Sequence, residues 1–147
     1  MKGMVHLMGV MELHNKKDWI KAFPIMKQLR NQLTQATYLT MMEEMKQNGY
    51  RLFAYEEEGD IVALAGVIID TCFAWGRYVW VHDLVTNEHV RSQGYGRRML
   101  QFIEEWGKEQ NCEQVALSSG LEKELAHQFY EHKMGYKRKS YVFRIML

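Results

Sequence analysis

The sequence predicts a single mixed α/β domain, and three observations predict it. Two β-rich runs, Tyr50 to Glu57 and Ile61 to Asp70, are separated only by Glu58-Gly59-Asp60, the spacing of an antiparallel hairpin. Tyr78 to Thr86 and Cys112 to Ser118 are two further apolar runs with an amphipathic helical pattern between them, and a strand-helix-strand crossover favours a parallel pair. No repeat, low-complexity tract or linker interrupts the order. The chain's 147 residues suffice for one real core, and 47% hydrophobic with 25% charged residues is ordinary globular composition.

Residues 1–9 are either a disordered leader or the beginning of a first strand over Leu7 to Leu13, and the domain proper occupies 10–147. Asn15 or Lys16 starts a helix that carries Trp19, Ile20, Phe23, Met26 and Leu29 to Leu33 at three- and four-residue spacing. Pro24 either kinks it or marks its true start. Tyr38, Met41, Met42 and Met45 set the period of a second helix that stops at Asn48-Gly49. These methionines pack a core, or else they line a pocket that tolerates varied guests.

After the hairpin, Thr71 to Gly76 is a loop. In the strand Tyr78 to Thr86, alternation places Val79, Val81, Asp83 and Val85 on one face, and an acid among valines invites a raised pKa or a dedicated partner. A helix from Gly94 lines up Tyr95, Met99, Phe102, Ile103 and Trp106. Glu122 to Met134 is another helix, stopped by Gly135, and a last strand begins near Tyr141.

The chain is organised around Tyr78 to Trp106, where a strand leads through a polar loop into Arg91-Ser92-Gln93-Gly94-Tyr95-Gly96. A helix mouth presents unpaired backbone N–H groups and about half a positive charge, which makes an anion site. Gly94 and Gly96 let a phosphate approach the main chain, and Arg91, Arg97 and Arg98 add charge. The expected guest carries a pyrophosphate. It is not a dinucleotide in the usual cradle, because Met99 stands at the third glycine position and the loop from Thr86 to Arg91 is too long for that turn. The P-loop pattern is absent as well.

R-x-x-G-x-G behind Asp83-Leu84-Val85-Thr86 closely resembles the acyl-CoA-binding motif of the GNAT superfamily of N-acyltransferases. Ala126-His127-Gln128-Phe129-Tyr130 through Gly135-Tyr136 is similar to that family's pattern near its C-terminus. The resemblance implies a mixed, mostly antiparallel sheet with a central parallel strand pair flanked by helices. It implies acetyl-CoA as co-substrate, with its pyrophosphate on Arg91, Ser92, Gln93, Gly94, Tyr95, Gly96 and Arg97, and Tyr130 beside its sulfur. The backbone edges of Leu84, Val85 and Thr86 would take the pantetheine amides as a strand segment. Three positions depart from the family: Lys123 where asparagine is common, Glu88 where proline is, and Ser92 where glycine is. The Ser92 change costs little if its φ is negative.

Acetyl transfer to a primary amine then sets the chemistry. An amine of pKa about 10.4 costs roughly 4 to 5 kcal/mol to present neutral at pH 7. Asp83 is the candidate base, directly or through water, or else a structural acid bonding a tyrosine or the backbone. Glu88, His82 and His127 are weaker alternatives. Tyr130 is the candidate proton donor to the departing thiolate, uphill by about 2 kcal/mol, or else a core aromatic beside Phe129. General acid or base help is worth about 10² to 10⁴ fold, whereas holding the reactants together contributes about 7 to 11 kcal/mol, so positioning should dominate.

Six scattered histidines and two isolated cysteines offer no metal or nucleophile pattern. A net charge of +1 argues against nucleic acid and an anionic membrane as partners, and no run approaches spanning length. Cys72 and Cys112 suit a reducing cytoplasm. The acceptor is a small-molecule or peptide amine, and Trp75, Tyr78 and the apolar last strand offer a homodimer surface. The competing reading is a catalytically silent domain that binds acyl-CoA as a sensor.

Overall fold

The computed structural model describes residues 9–147. It is an α/β fold made of two compact units, one ending at Ala116 and the other running over Leu117–Leu147. Of residues 1–9, expected to be a disordered leader or the beginning of a first strand, all but Gly9 lie outside the described residues.

The first unit holds β1 (Val10–Glu12), α1 (Lys16–Leu29), α2 (Gln35–Gln47), β2 (Arg51–Glu57), β3 (Asp60–Cys72), β4 (Gly76–Thr86), α3 (Tyr95–Glu109) and most of β5 (Gln114–Leu117). The strands lie in the order β1-β2-β3-β4-β5, with the first four antiparallel and β5 parallel to β4. The hairpin turn is tight because Glu58 and Gly59 both take positive φ, +52° and +83°, the twist that two-residue connections demand.

Caps set the helix limits. Asn15 accepts a hydrogen bond from the Asp18 N–H to start α1, and Thr34 with Thr37 forms a reciprocal box at the start of α2. Pro24 does not mark a start: α1 runs through it, giving up one backbone bond. The Phe129–Lys133 turn that follows the short helix α4 (Glu124–Gln128) is wound wider than an α-helix, where the sequence predicts one continuous helix. The last strand expected from about Tyr141 does not form. Tyr141, Val142, Phe143 and Ile145 are exposed, because a strand needs a partner edge to satisfy its backbone, and propensity alone cannot supply one.

β2 shows how the first unit divides. Leu52 and Ala54 join Trp19, Ile25, Met26, Tyr38 and Met42 in a core under α1 and α2. Phe53 instead meets Phe102 and Trp106 of α3 at 5.2 and 5.3 Å between ring centroids, and Tyr55 meets Tyr95 at 5.4 Å. Alternate residues therefore serve opposite faces, with α1 and α2 on one and α3 on the other. Met26 and Met42 are core, whereas Met41 is 47% exposed.

β4 breaks that alternation. Val67 pairs with Val81 and Gly66 with Asp83, so β4 has one extra residue, His82. A bulge of this kind re-aims the strand. Val79 faces α3, since a Cβ added to Gly107 would come 3.0 Å from its methyl. Val85 lies instead in the α1 and α2 core. The four alternating residues of the sequence reading are thus split in two by the bulge, and Asp83 is turned to the α1 and α2 side.

Candidate active site

The C-terminal end of β4 is fixed by side chains from the other elements. Asp83, only 9% exposed, accepts from Tyr50 OH at 2.6 Å and from Arg30 Nε at 3.0 Å. Arg30 also donates from Nη2 to the His82 carbonyl at 2.9 Å. Burial first, and then the nearby Asp83 charge and hydrogen bond, push the Tyr50 phenol well above its ordinary value. Tyr38 is raised as well by burial and by Asp83, while its hydroxyl donates to the Trp19 carbonyl at 2.8 Å. The dedicated partner that the acid invites is therefore double.

Gly66 makes this closeness physically feasible. A Cβ there would sit 1.6 Å from the Tyr50 hydroxyl, so any side chain would displace the tyrosine from Asp83.

Beyond Thr86 the loop is tied back to α1. Asn87 accepts from the His89 N–H and from Gln28 Nε2, and Gln28 Oε1 accepts from the Glu88 N–H at 2.9 Å. Glu88–Val90 forms one 3-10 turn. Arg91, Ser92, Gln93 and Gly94 then follow, all exposed. Ser92 has φ +67°, so the condition for an inexpensive serine is not met there. Gly94 has φ +81° and caps α3 without any side-chain hydrogen bond. Nothing lies within 4 Å of the place a Gly94 Cβ would take.

The first-turn N–H groups of α3 thus have no side-chain acceptor at Gly94, beside the exposed Arg91 and Arg97. Uncapped donors, positive dipole, guanidinium groups and open space fit a diphosphate. Arg98 is turned elsewhere, its Nη1 donating to Tyr55 OH at 3.3 Å.

Leu84, Val85 and Thr86 pair on one side with Ala65, Leu64 and Ala63 of β3. On the other side, the Glu113 N–H donates to the Arg77 carbonyl at 2.7 Å. With that offset and parallel strands, the short β5 runs level with the first half of β4, and Asp83 to Thr86 outrun it. Their outer backbone edge is where an extended guest would add as a strand.

In the second unit, Tyr130 opens toward Phe129 and Tyr136, with ring centroids 5.4 and 6.2 Å away. Its carbonyl accepts from the Tyr136 N–H at 2.8 Å, and the Gly120 carbonyl accepts from His127 Nε2 at 2.8 Å. Burial pushes the Tyr130 phenol above its ordinary value. Lys123 caps α4 with no side-chain bond, which is what loss of the family's asparagine leads one to expect.

Sequence reasoning passed over Arg30, Tyr50, Gln28 and Gly66. Only Gly66 carries a local signal, since an isolated glycine inside a strand pattern marks a close approach. Among the described residues no group of three or more His, Cys, Asp or Glu side chains could hold a metal, and no helix is long and apolar enough to cross a membrane.

Comparisons with known proteins agree with this geometry. The model of the acetyltransferase (GNAT) family matches residues 16–136. The uncharacterized N-acetyltransferase YhdJ of Bacillus subtilis (strain 168) is 38% identical over 142 residues, covering 96% of this chain and 98% of that protein. A crystal structure of a transcriptional regulator from Bacillus halodurans C-125 superimposes with a TM-score of 0.82 at 18% identity, covering 94% and 98% of the two chains. The aminoglycoside N-acetyltransferase AAC(6')-Iy, solved in complex with CoA, gives 0.81 at 17% identity over 94% and 93%. Those two likenesses carry the fold alone.

Proposed function

The chain belongs to the GNAT family of acetyltransferases, and from that premise we propose that it transfers an acetyl group from acetyl-CoA to a primary amine by direct attack in a ternary complex. The observation that carries the reading is the start of α3, uncapped, basic and open at Gly94. Arg91, Ser92, Gln93, Gly94, Tyr95, Gly96 and Arg97 would hold the diphosphate, chiefly by backbone N–H groups. The main chain of Leu84, Val85 and Thr86 would hold the pantetheine arm. The coenzyme supplies the acetyl thioester.

The protein's own work is then positioning, proton handling and exclusion of water. The amine must lose a proton and the departing sulfur gain one. Tyr130 is the donor in this reading, because burial keeps its phenol protonated. Burial also widens the gap of about 2 kcal/mol against a thiolate, so its help is modest compared with positioning. Asp83 is the base in this reading, acting through water on the lone pairs that Arg30 and Tyr50 leave open.

A carboxylate already engaged on both oxygens also favours a second reading, a catalytically silent acyl-CoA sensor. The acceptor in the first reading is a small-molecule or peptide amine, and two free cysteines suit a reducing cytoplasm. Free thiol release from acetyl-CoA across a panel of amines separates the two. Release that depends on the amine, slowed about 10²-fold in Tyr130→Phe with CoA affinity retained, is the expected result. Thermal stabilisation by CoA with no release on any amine would favour the sensor.

A further inference from the structure

We propose that the aromatic row on the α1 and α2 side of β4 binds an alkylammonium group, the charged far end of the acceptor; only that last clause rests on the acetyl-transfer reading. The row is continuous. Tyr50 lies 6.1 Å from His82 between ring centroids, His82 lies 6.4 Å from Trp80, Trp80 lies 6.5 Å from Trp75, and Trp75 lies 5.1 Å from Tyr78. It begins at the buried Tyr50, whose hydroxyl bonds Asp83, and ends at the exposed Asp70, which accepts from Tyr78 OH at 3.4 Å.

Register puts Tyr78 and Trp80 on one face of β4, and the ring contacts extend the row to Trp75 at one end and to His82 and Tyr50 at the other. Trp80 pairs across from Ile68 and Tyr78 from Asp70, and a Cβ on Gly49 would touch Ile68, which places that face toward the end of α2. Trp75, Tyr78 and Trp80 are all half-buried, so their rings are partly open to solvent.

The chemistry selects a cation. The Trp75 and Trp80 planes differ by 14° with centroids 6.5 Å apart, and a ring face partly open to solvent attracts a cation that comes within about 6 Å of its centroid. Asp70 adds a negative charge at the end of the row, and the ring faces contribute their quadrupoles. Among the described residues, the cations that the fold seats on rings are Lys46 over Trp19, Arg51 over Phe53 and Trp106, and Arg98 over Tyr95. A neutral apolar guest would gain from contact with the rings alone; an ammonium gains from the rings and Asp70 together.

The full chain is titrated with choline and with its neutral isostere, in which carbon replaces the ammonium nitrogen. Calorimetry and tryptophan emission are the readouts, without CoA. The expected result is about tenfold tighter binding of choline, reduced to near parity in Trp80→Leu and in Asp70→Asn, each melting cooperatively like the wild type. Equal affinity for the two probes overturns the proposal, and so does choline affinity that neither substitution moves. In the thiol-release assay, Trp80→Leu should raise KM for a diamine about tenfold and leave KM for the matching monoamine unchanged. Absence of release with either amine, alongside intact choline selectivity, would sink acetyl transfer while supporting the ammonium site.

Discussion

Asp83 and Gly94 stand eleven residues apart on one strand-loop-helix run and are built in opposite ways. At Asp83 every bond is made inside the protein: Tyr50 and Arg30 hold the carboxylate, and Arg30 holds the His82 carbonyl too. At Gly94 the helix starts with no side-chain cap and open space around it. The first arrangement fixes where the strand ends. The second leaves the first-turn backbone donors of α3 with no side-chain cap. Binding sites gain from this division, since donors held rigid and unsatisfied lose little freedom when a guest arrives.

Breaking the fixed end should cost the most. Gly66→Ala drives a methyl into the Tyr50 hydroxyl, and a loss of about 3 kcal/mol in urea unfolding is expected. Unchanged stability would mean that the close packing around Asp83 is not needed. Tyr50→Phe removes only the hydrogen bond to a charged group and should cost about 2 kcal/mol.

The same tyrosine fixes a pH dependence. Its folded pKa is raised above the unfolded value of 10.0, so the folded protein keeps a proton that the unfolded chain has lost. The stability is complete below about pH 10 and falls as pH climbs past it. Tyr50→Phe should flatten that alkaline fall in denaturation curves taken from about pH 8 to 11. An unaltered slope would assign it to other groups.

Most of the architecture was legible in the sequence, and the parts that were not share a cause. The hairpin, the crossover and the three long helices follow local rules: turn residues at Glu58-Gly59, Asn15 and Thr34 caps, and an apolar stripe on α3. The bulge at His82 follows no local rule. Alternation along β4 reads smoothly through it, and only pairing with Gly66 and Val67 shows the extra residue. For the same reason Arg30 and Tyr50 were invisible as partners of Asp83, being 53 and 33 residues away in sequence. The tail after Tyr136 carries a strand-like composition with no strand, because β structure depends on a neighbour. The turn into α3 was readable because Gly94 takes a left-handed φ there, a conformation that glycines announce.

The smallest effect belongs to the open end. Ser92→Gly relieves a left-handed serine and should add about 1 kcal/mol or less to stability, read by thermal melting, with CoA affinity preserved. Loss of stability would show that the serine side chain holds the loop.

The central claim is that main-chain N–H groups at the mouth of α3 grip a coenzyme diphosphate. Calorimetric titration of Gly94→Val with CoA and with pantetheine, which lacks the diphosphate, tests it directly. A β-branched residue cannot keep φ at +81° without strain, so CoA affinity should fall about tenfold or more while pantetheine binding stays as in the wild type. CoA affinity equal to that of the wild type, in a variant that folds normally, would contradict the account.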